Sequence, residues 1–245
     1  MREAKRTEKM YLVEGGPDVI KLQSVGITNT IASLGGAWTE DQFRKLRECR
    51  LQSVTLCFIP DSDVPKRGEK LGAGFQNVLK NGALAMQTGF TVTVREIPND
   101  LEAEHPKKVD PDEYIDKASK LDTLTEKEFL IWFVEKKYDR EAVMEEKQKV
   151  IEEVADLLIL VKSEEMQESY LSQLAKLTEG TKGLWRQALN SAKKRRQEKL
   201  SEKNKKGGID MLKQFGFREQ YSSYYGMDKD IVWKYGLYNY AQLIF

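Results

Sequence analysis

Residues 12–21 read LVEGGPDVIK: an apolar strand end, an acid, two glycines, then a proline and an aspartate that restart the chain as a helix. Glycine turns the backbone without a Cβ conflict, and Pro17 suits the first helical position, where a missing N–H costs nothing. Asp18 then falls in the first helical turn, where the helix dipole tolerates negative charge. Glu14 is left at the carboxyl end of the strand, the edge of an open α/β sheet at which ligands bind.

Working outward, short β-rich runs alternate with amphipathic stretches from Lys9 to Ile97: MYLV, a segment from Pro17, TIAS, a segment from Thr39, VTLCFIP, a segment from Gly68, and TVTVREI. Runs as apolar as VTLCFI predict an α/β fold, a mostly parallel sheet with flanking helices. TEDQ at 39–42 has the capping-box form of Thr followed three residues later by Gln. After Asp116 the pattern predicts helices only. TEKE at 125–128 repeats the capping-box form, and Val143, Val150, Ile151, Val154, Leu157, Leu158 and Val161 follow helical spacing. A further stretch carries Met166, Tyr170, Leu174 and Leu177 up to Gly180, and Leu184, Trp185, Ala188, Leu189 and Ala192 open another. The expected organisation is therefore an α/β domain over 1–116, a small all-helical bundle with a basic linker over 117–206, and an aromatic-rich tail over 207–245. The basic run KKRRQEKLSEKNKKGG at 193–208 reads as a solvated helix end entering a linker. The tail, with Phe215, Phe217, Tyr221, Tyr224, Tyr225, Trp233, Tyr235, Tyr238, Tyr240 and Phe245, is too short to bury its own rings and is expected to dock on something or to open a further domain.

Composition narrows the chemistry. Forty basic residues against 39 acidic ones leave a net charge of +1, so any polyanion site must be a local patch. The only histidine is His105, which excludes Cys/His zinc sites and Ser-His-Asp triads. Cys49 and Cys57 read as reduced, buried thiols, which points to a cytoplasmic protein. No apolar run reaches the roughly 18 residues of a spanning helix, and MREAKRTEK has no apolar signal core, so no membrane association is expected.

What remains is acidic. Glu14 ends the first strand, IPDSDV (59–64) puts Asp61 and Asp63 after the third, and VDPDEYI (109–115) puts Asp110 and Asp112 after the fourth and a loop. Side chains two apart on extended backbone point the same way, so Asp61 and Asp63 share a face across Ser62, and Asp110 and Asp112 are expected to repeat this across Pro111. Two carboxylates about 4 Å apart repel by about 4 kcal/mol at an effective dielectric of about 20, so a converging cluster requires cations. Oxygen ligands without His or Cys select hard ions, Mg²⁺ or Mn²⁺, which recruit phosphate oxygens and support in-line phosphoryl or nucleotidyl transfer. Taken singly, EGGPD, DSD and DPDE are ordinary turn and capping sequences; their joint occurrence, each after a predicted strand, favours a site.

The order EG-x-x-D, D-x-D, D-P-D resembles the TOPRIM domain of DnaG-type bacterial and phage primases. The resemblance takes in the strand before Glu14, the ASLGG turn at 32–36 and DPDEYI at 110–115, and runs from Lys5 to Ile115. VIEEVADLLILV and EEMQESYLSQLAKLTEG look like the helical subdomain that follows TOPRIM in those primases, and GFREQYSSYYG resembles the region after the primase portion of mobile-element primase-helicases. The resemblance implies that Glu14, Asp18, Asp61, Asp63, Asp110 and Asp112 bind metal, that Glu14, Asp61 and Asp63 are catalytic with Glu14 also in proton transfer, and that RNA primers are made from ribonucleoside triphosphates on a single-stranded DNA template in partnership with a replicative helicase. Arg6 and Lys9, and Lys66, Arg67 and Lys70 in the loop after Asp63, are candidate nucleic-acid contacts, with a solvated charged surface as the plain alternative.

Departures accompany the resemblance. The short D-G-D-x-A-G turn of the primases is replaced by DSDVPKRGEKLGAGF, with Ser62 in place of Gly. The family's zinc-binding module and amino-terminal catalytic subdomain have no counterpart, so the chain is expected to be a piece of a longer protein. Two other readings stand beside a primase core: a TOPRIM nuclease, which the D-P-D motif disfavours, and a catalytically incomplete replication scaffold that docks a helicase.

Overall fold

The structure is a computed structural model, and it describes residues 2–214 apart from Gly36, Gln52 and 100–106, with side chains described as far as Glu202. The aromatic tail from Phe215 onward and His105 lie outside the described residues.

Four short strands form parallel pairs: β1 (Lys9–Val13), β2 (Thr30–Ala32), β3 (Thr55–Phe58) and β4 (Val92–Arg95). A fifth, β5 (Glu126–Glu128), closes the edge antiparallel to β4, and the strand order is β2-β1-β3-β4-β5. β1 buries both its faces, as a central parallel strand should. On one side, Met10 and Leu12 join Leu56, Phe58, Val92 and Val94 under α3 (Glu40–Glu48) and α4 (Ala73–Gln87). On the other, Val13 meets Leu22 of α2 (Gly16–Ser24) together with Ile59, Ile97, Ile115 and Leu121. The short helices α5 (Pro111–Tyr114) and α6 (Ala118–Leu121) lie on that second side, and α1 (Arg2–Thr7) precedes β1.

The expected helix starts hold where a cap enforces them. Thr39 caps α3 by accepting from the Gln42 N–H, while the Gln42 side chain accepts from the Thr39 N–H at 2.8 Å. Pro17 lies in the first turn of α2. The helix expected from Gly68 begins only at Ala73, because Gly68 takes φ +85° and the chain from Val64 to Leu71 stays in a loop.

Beyond Asp116 one expectation is corrected: TEKE is not a helix start. Glu126–Glu128 pairs with β4, where Glu126 takes bonds from Lys9 Nζ at 2.6 Å, Thr93 Oγ1 at 2.8 Å and Arg95 Nε at 3.0 Å. Those partners fix a polar strand at the sheet edge, where helical propensity loses to pairing. Four helices follow: α7 (Phe129–Lys137), α8 (Met144–Leu158), α9 (Glu164–Leu177) and α10 (Lys182–Gln214). Their buried residues, Trp132, Val154, Leu158, Leu171, Leu174 and Trp185 among them, belong to the same core cluster as Met10 and Leu12. Buried polar tips are satisfied: Trp132 Nε1 donates to Glu96 at 2.6 Å, Trp185 Nε1 to Thr178 at 3.1 Å and the Tyr170 hydroxyl to Glu128 at 2.8 Å.

The described residues divide between a compact unit that ends at Ala192 and a second unit that begins at Lys193. The basic run does not end its helix at Gly207, since α10 continues to Gln214. Cys57 is buried in β3, and burial pushes its thiol up to about 12. Cys49 departs from expectation: it is exposed at the end of α3, whose buried face is carried by Phe43 and Leu46. Among the described residues no helix is long and apolar enough to cross a membrane.

Close approach of α4 to α7 requires a glycine. A Cβ at Gly82 would stand 2.3 Å from the Phe129 ring, which is itself only 1% exposed. Gly82→Ala is therefore expected to destabilise the fold by about 1–3 kcal/mol through overpacking, read as a lower urea midpoint with an unchanged slope.

Candidate metal centre

The chain leaves β1 towards β2 on one side and crosses to β3 on the other, so β1 and β3 flank the point where strand order reverses. Ligands bind at the carboxyl ends of such a pair. There a cleft of about 460 Å³ is lined by Glu14, Asp18, Asp61, Lys108, Asp110 and Asp112, with Gly15, Gly16, Pro17, Leu34 and Gly35.

One small piece of pairing brings the acids together. Ser62 and Val109 form an isolated antiparallel bridge, Ser62 N donating to Val109 O at 2.9 Å and Val109 N to Ser62 O at 3.2 Å. The Asn99 side chain braces it by donating to the carbonyls of Ser62 and Lys107, each at 2.8 Å. With side chains alternating on extended backbone, Asp61 and Asp63 emerge on the same face as Lys108 and Asp110. Lys108 Nζ accordingly lies 2.7 Å from Asp61, 2.9 Å from Asp110 and 3.8 Å from Asp63.

The start of α4 is pressed against this loop. A Cβ at Gly74 would stand 2.4 Å from the Asp61 carbonyl oxygen, and one at Gly72 2.2 Å from that of Asp63. The close approach lets Asp63 Oδ2 accept from the Gly74 N–H at 2.7 Å and so cap a helix whose own Gly72 cap has no side chain to offer. Asp63 thus sits at the rim. Asp18, only 5% exposed, is also bound to backbone, accepting from the N–H of Gly15 at 2.9 Å and of Asp112 at 3.2 Å. It ties α2 to α5. Asp110 and Asp112 both line the cleft, but not by the expected extended geometry: Asp110 is the N-cap of α5 and Asp112 lies in its first turn. Leu34 takes φ +60°, a sparsely populated conformation for a branched residue, with its N–H on the Glu14 carbonyl at 3.3 Å.

Electrostatics mark the cleft as short of positive charge. Burial raises the Asp61 carboxyl to about 7, with Glu14 and Asp110 adding repulsion against the lowering effect of Lys108. Burial also raises Glu14, partly opposed by Asn77, and raises Asp18 against the N–H groups it binds. Among the described residues, Asp61 Oδ1 is buried without a hydrogen-bond partner, and Asp110 Oδ1 faces Lys108 without an aligned hydrogen bond. An orphaned buried carboxylate oxygen among all-oxygen donors fits a hard divalent ion. Among the described residues, however, no three such side chains already converge around one point. Of the six acids, Asp18 and Asp63 accept from backbone N–H groups, and an ammonium stands between Asp61 and Asp110.

Of the candidate nucleic-acid residues, Lys66, Arg67 and Lys70 lie exposed in the β3–α4 loop, Lys70 paired with Asp139 at 2.5 Å. Arg6, paired with Glu3, and Lys9, paired with Glu126 at 2.6 Å, lie at the amino end of β1, away from the cleft edge. Lys108 was missed. The period-two argument used for Asp61 and Asp63, stepped back from Asp110, would have found it.

Residues 8–94 match the family model of the Toprim domain. This segment is a Toprim domain. Its relatives by sequence include the DNA primases of Staphylococcus aureus strain MSSA476, 30% identical over 116 residues, and of Geobacillus stearothermophilus, 32% identical over 111. These alignments cover 47% and 45% of this chain but only 16% and 15% of those primases, so the chain spans about one sixth of their length. In fold, the chain is similar to a DNA primase domain from Pseudomonas aeruginosa (TM-score 0.50, 19% identity, 77% of this chain and 56% of that one) and to a DnaG catalytic core (TM-score 0.51, 16% identity, 75% and 56%). The Toprim match holds Glu14, Asp18, Asp61 and Asp63, while Asp110 and Asp112 lie beyond it.

Two outcomes test this geometry. Because the Asp61 pKa is raised in the folded state, the fold binds more protons there than the unfolded chain between about pH 4 and 7, and metal-free stability falls as pH rises through that window. Asp61→Asn removes the Asp61 share of that dependence and leaves the smaller one of Glu14 and Asp18, so its melting temperature in EDTA should gain on the wild type from pH 4 to 7 and hold that gain above. Gly74→Ala should cost about 1–3 kcal/mol in urea denaturation.

Proposed function

We propose that this chain is part of the catalytic core of a DNA primase, performing metal-dependent nucleotidyl transfer that builds RNA primers from ribonucleoside triphosphates on a single-stranded DNA template. The observation that carries the reading is the buried Asp61 oxygen, unpartnered among the described residues, in an acid-lined cleft at the switch point of a Toprim sheet. Asp61, Asp110, Glu14 and Asp112 are the residues that would hold Mg²⁺ or Mn²⁺. Asp18 and Asp63 keep the two loops in place. Bound divalent ions supply charge neutralisation at the phosphates and activation of a 3′ hydroxyl. Glu14, whose carboxylate burial makes more basic, would take up that hydroxyl proton. Lys66 and Arg67, exposed on the same edge of the sheet, offer phosphate contacts that fix position without reading sequence.

A helicase-docking scaffold is the second reading, and the lack of a converged three-ligand set among the described residues favours it. Calorimetric titration with Mn²⁺ separates the two. The wild-type chain should bind saturably, and an Asp61→Asn/Asp110→Asn variant with an unchanged circular dichroism spectrum should bind more than about 100-fold more weakly, since two charged ligands are lost. Equal binding by the folded variant would remove the catalytic reading.

A further inference from the structure

Lys108 has no role in the proposed chemistry, yet it occupies the centre of the acid cluster. Its ammonium contacts three carboxylates, at 2.7, 2.9 and 3.8 Å, and these are its anchors among the described residues. The bridge at Val109 fixes its backbone one residue away, so its direction into the cleft follows from strand alternation. The stem is about half exposed, with 48% of the side chain open to solvent, and four rotatable carbons let it swing out without moving the backbone.

Asp61 and Asp110 therefore already share one cation, and it is covalently attached. We infer that Lys108 is a tethered counter-ion, holding one cation position of the cleft in the metal-free protein and giving up Asp61 and Asp110 when a divalent ion takes them. The inference rests on reading the cleft as a divalent-metal site and adds that the chain carries its own competitor for it. Two consequences follow from competition for the same oxygens. Metal affinity is lowered by the cost of displacing the ammonium, and the metal-free cleft is spared the repulsion of Asp61 and Asp110 facing each other alone. Asp61 Oδ1 has no hydrogen-bond partner among the described residues while Oδ2 holds Lys108, so an ion that replaces the ammonium can take up an oxygen the lysine leaves unused.

The test is Mn²⁺ binding, followed by electron paramagnetic resonance of the free ion, on the wild type, Lys108→Met and Lys108→Arg, with circular dichroism confirming each fold. Lys108→Met keeps the stem and removes the charge, and is expected to bind on the order of ten-fold more tightly, a shift typical of one coupled interaction. It should also melt lower than the wild type in EDTA and gain more in melting temperature when Mn²⁺ is added. Lys108→Arg keeps the charge and should stay within about three-fold of the wild type. Equal or weaker binding by folded Lys108→Met, with the wild type binding saturably, would overturn the counter-ion while leaving the metal site standing. Absence of saturable binding in both the wild type and Lys108→Met would overturn the metal reading and this inference with it. Binding by Lys108→Met alone would support both.

Discussion

Two backbone hydrogen bonds between Ser62 and Val109 determine what this cleft contains. They join the loop after β3 to the segment before α5, two pieces of chain more than forty residues apart, and they set the register in which Asp61, Asp63, Lys108 and Asp110 face one another. A slip of one residue on either segment would turn its pair, Asp61 and Asp63 or Lys108 and Asp110, away from the other, because side-chain direction alternates with every residue. The sheet brings the loops to the same edge, and the bridge decides which side chains meet there.

Such a cluster is costly, and the surrounding structure shows where that cost is offset. Burial, with repulsion from neighbouring carboxylates added to it, raises Asp61 and Glu14, which works against the folded state at neutral pH. The local opposition comes from Lys108, from the helix starts that face the acids and from the backbone N–H groups that Asp18 and Asp63 accept. Those contacts depend on residues without side chains. Gly72 and Gly74 allow α4 to touch the Asp61–Asp63 backbone, and Gly15 presents its N–H to Asp18. The arrangement holds acids in place against their own repulsion, as expected of a site completed by a cation.

Much of this was legible from residue patterns. Alternating apolar runs and capping residues located β1 to β4 and the start of α3, since a buried parallel strand and a Thr-Gln box leave strong local signals. The acids after β1, β3 and β4 marked the functional edge. What escaped was set by distant contacts. Glu126–Glu128 reads locally as a helix start, and only Lys9, Thr93 and Arg95 make it a strand. The path from Val64 to Leu71 depends on the meeting of Asp63 with Gly74. Asp110 and Asp112 were placed in the cleft for a reason the structure replaces, a short helix instead of an extended strand. Lys108 belongs to no acidic motif, although the alternation that aligns Asp61 with Asp63 also aligns Lys108 with Asp110.

The central claim is that these acids hold a divalent ion in the cleft. Its most direct test is anomalous diffraction at the manganese edge from crystals of the chain grown with Mn²⁺. The account predicts a peak between Asp61 and Asp110, about 2.0–2.5 Å from their carboxylate oxygens, with the Lys108 side chain turned out to solvent. A cleft without a manganese peak, with Lys108 still between the two aspartates and the ion bound elsewhere, would contradict it.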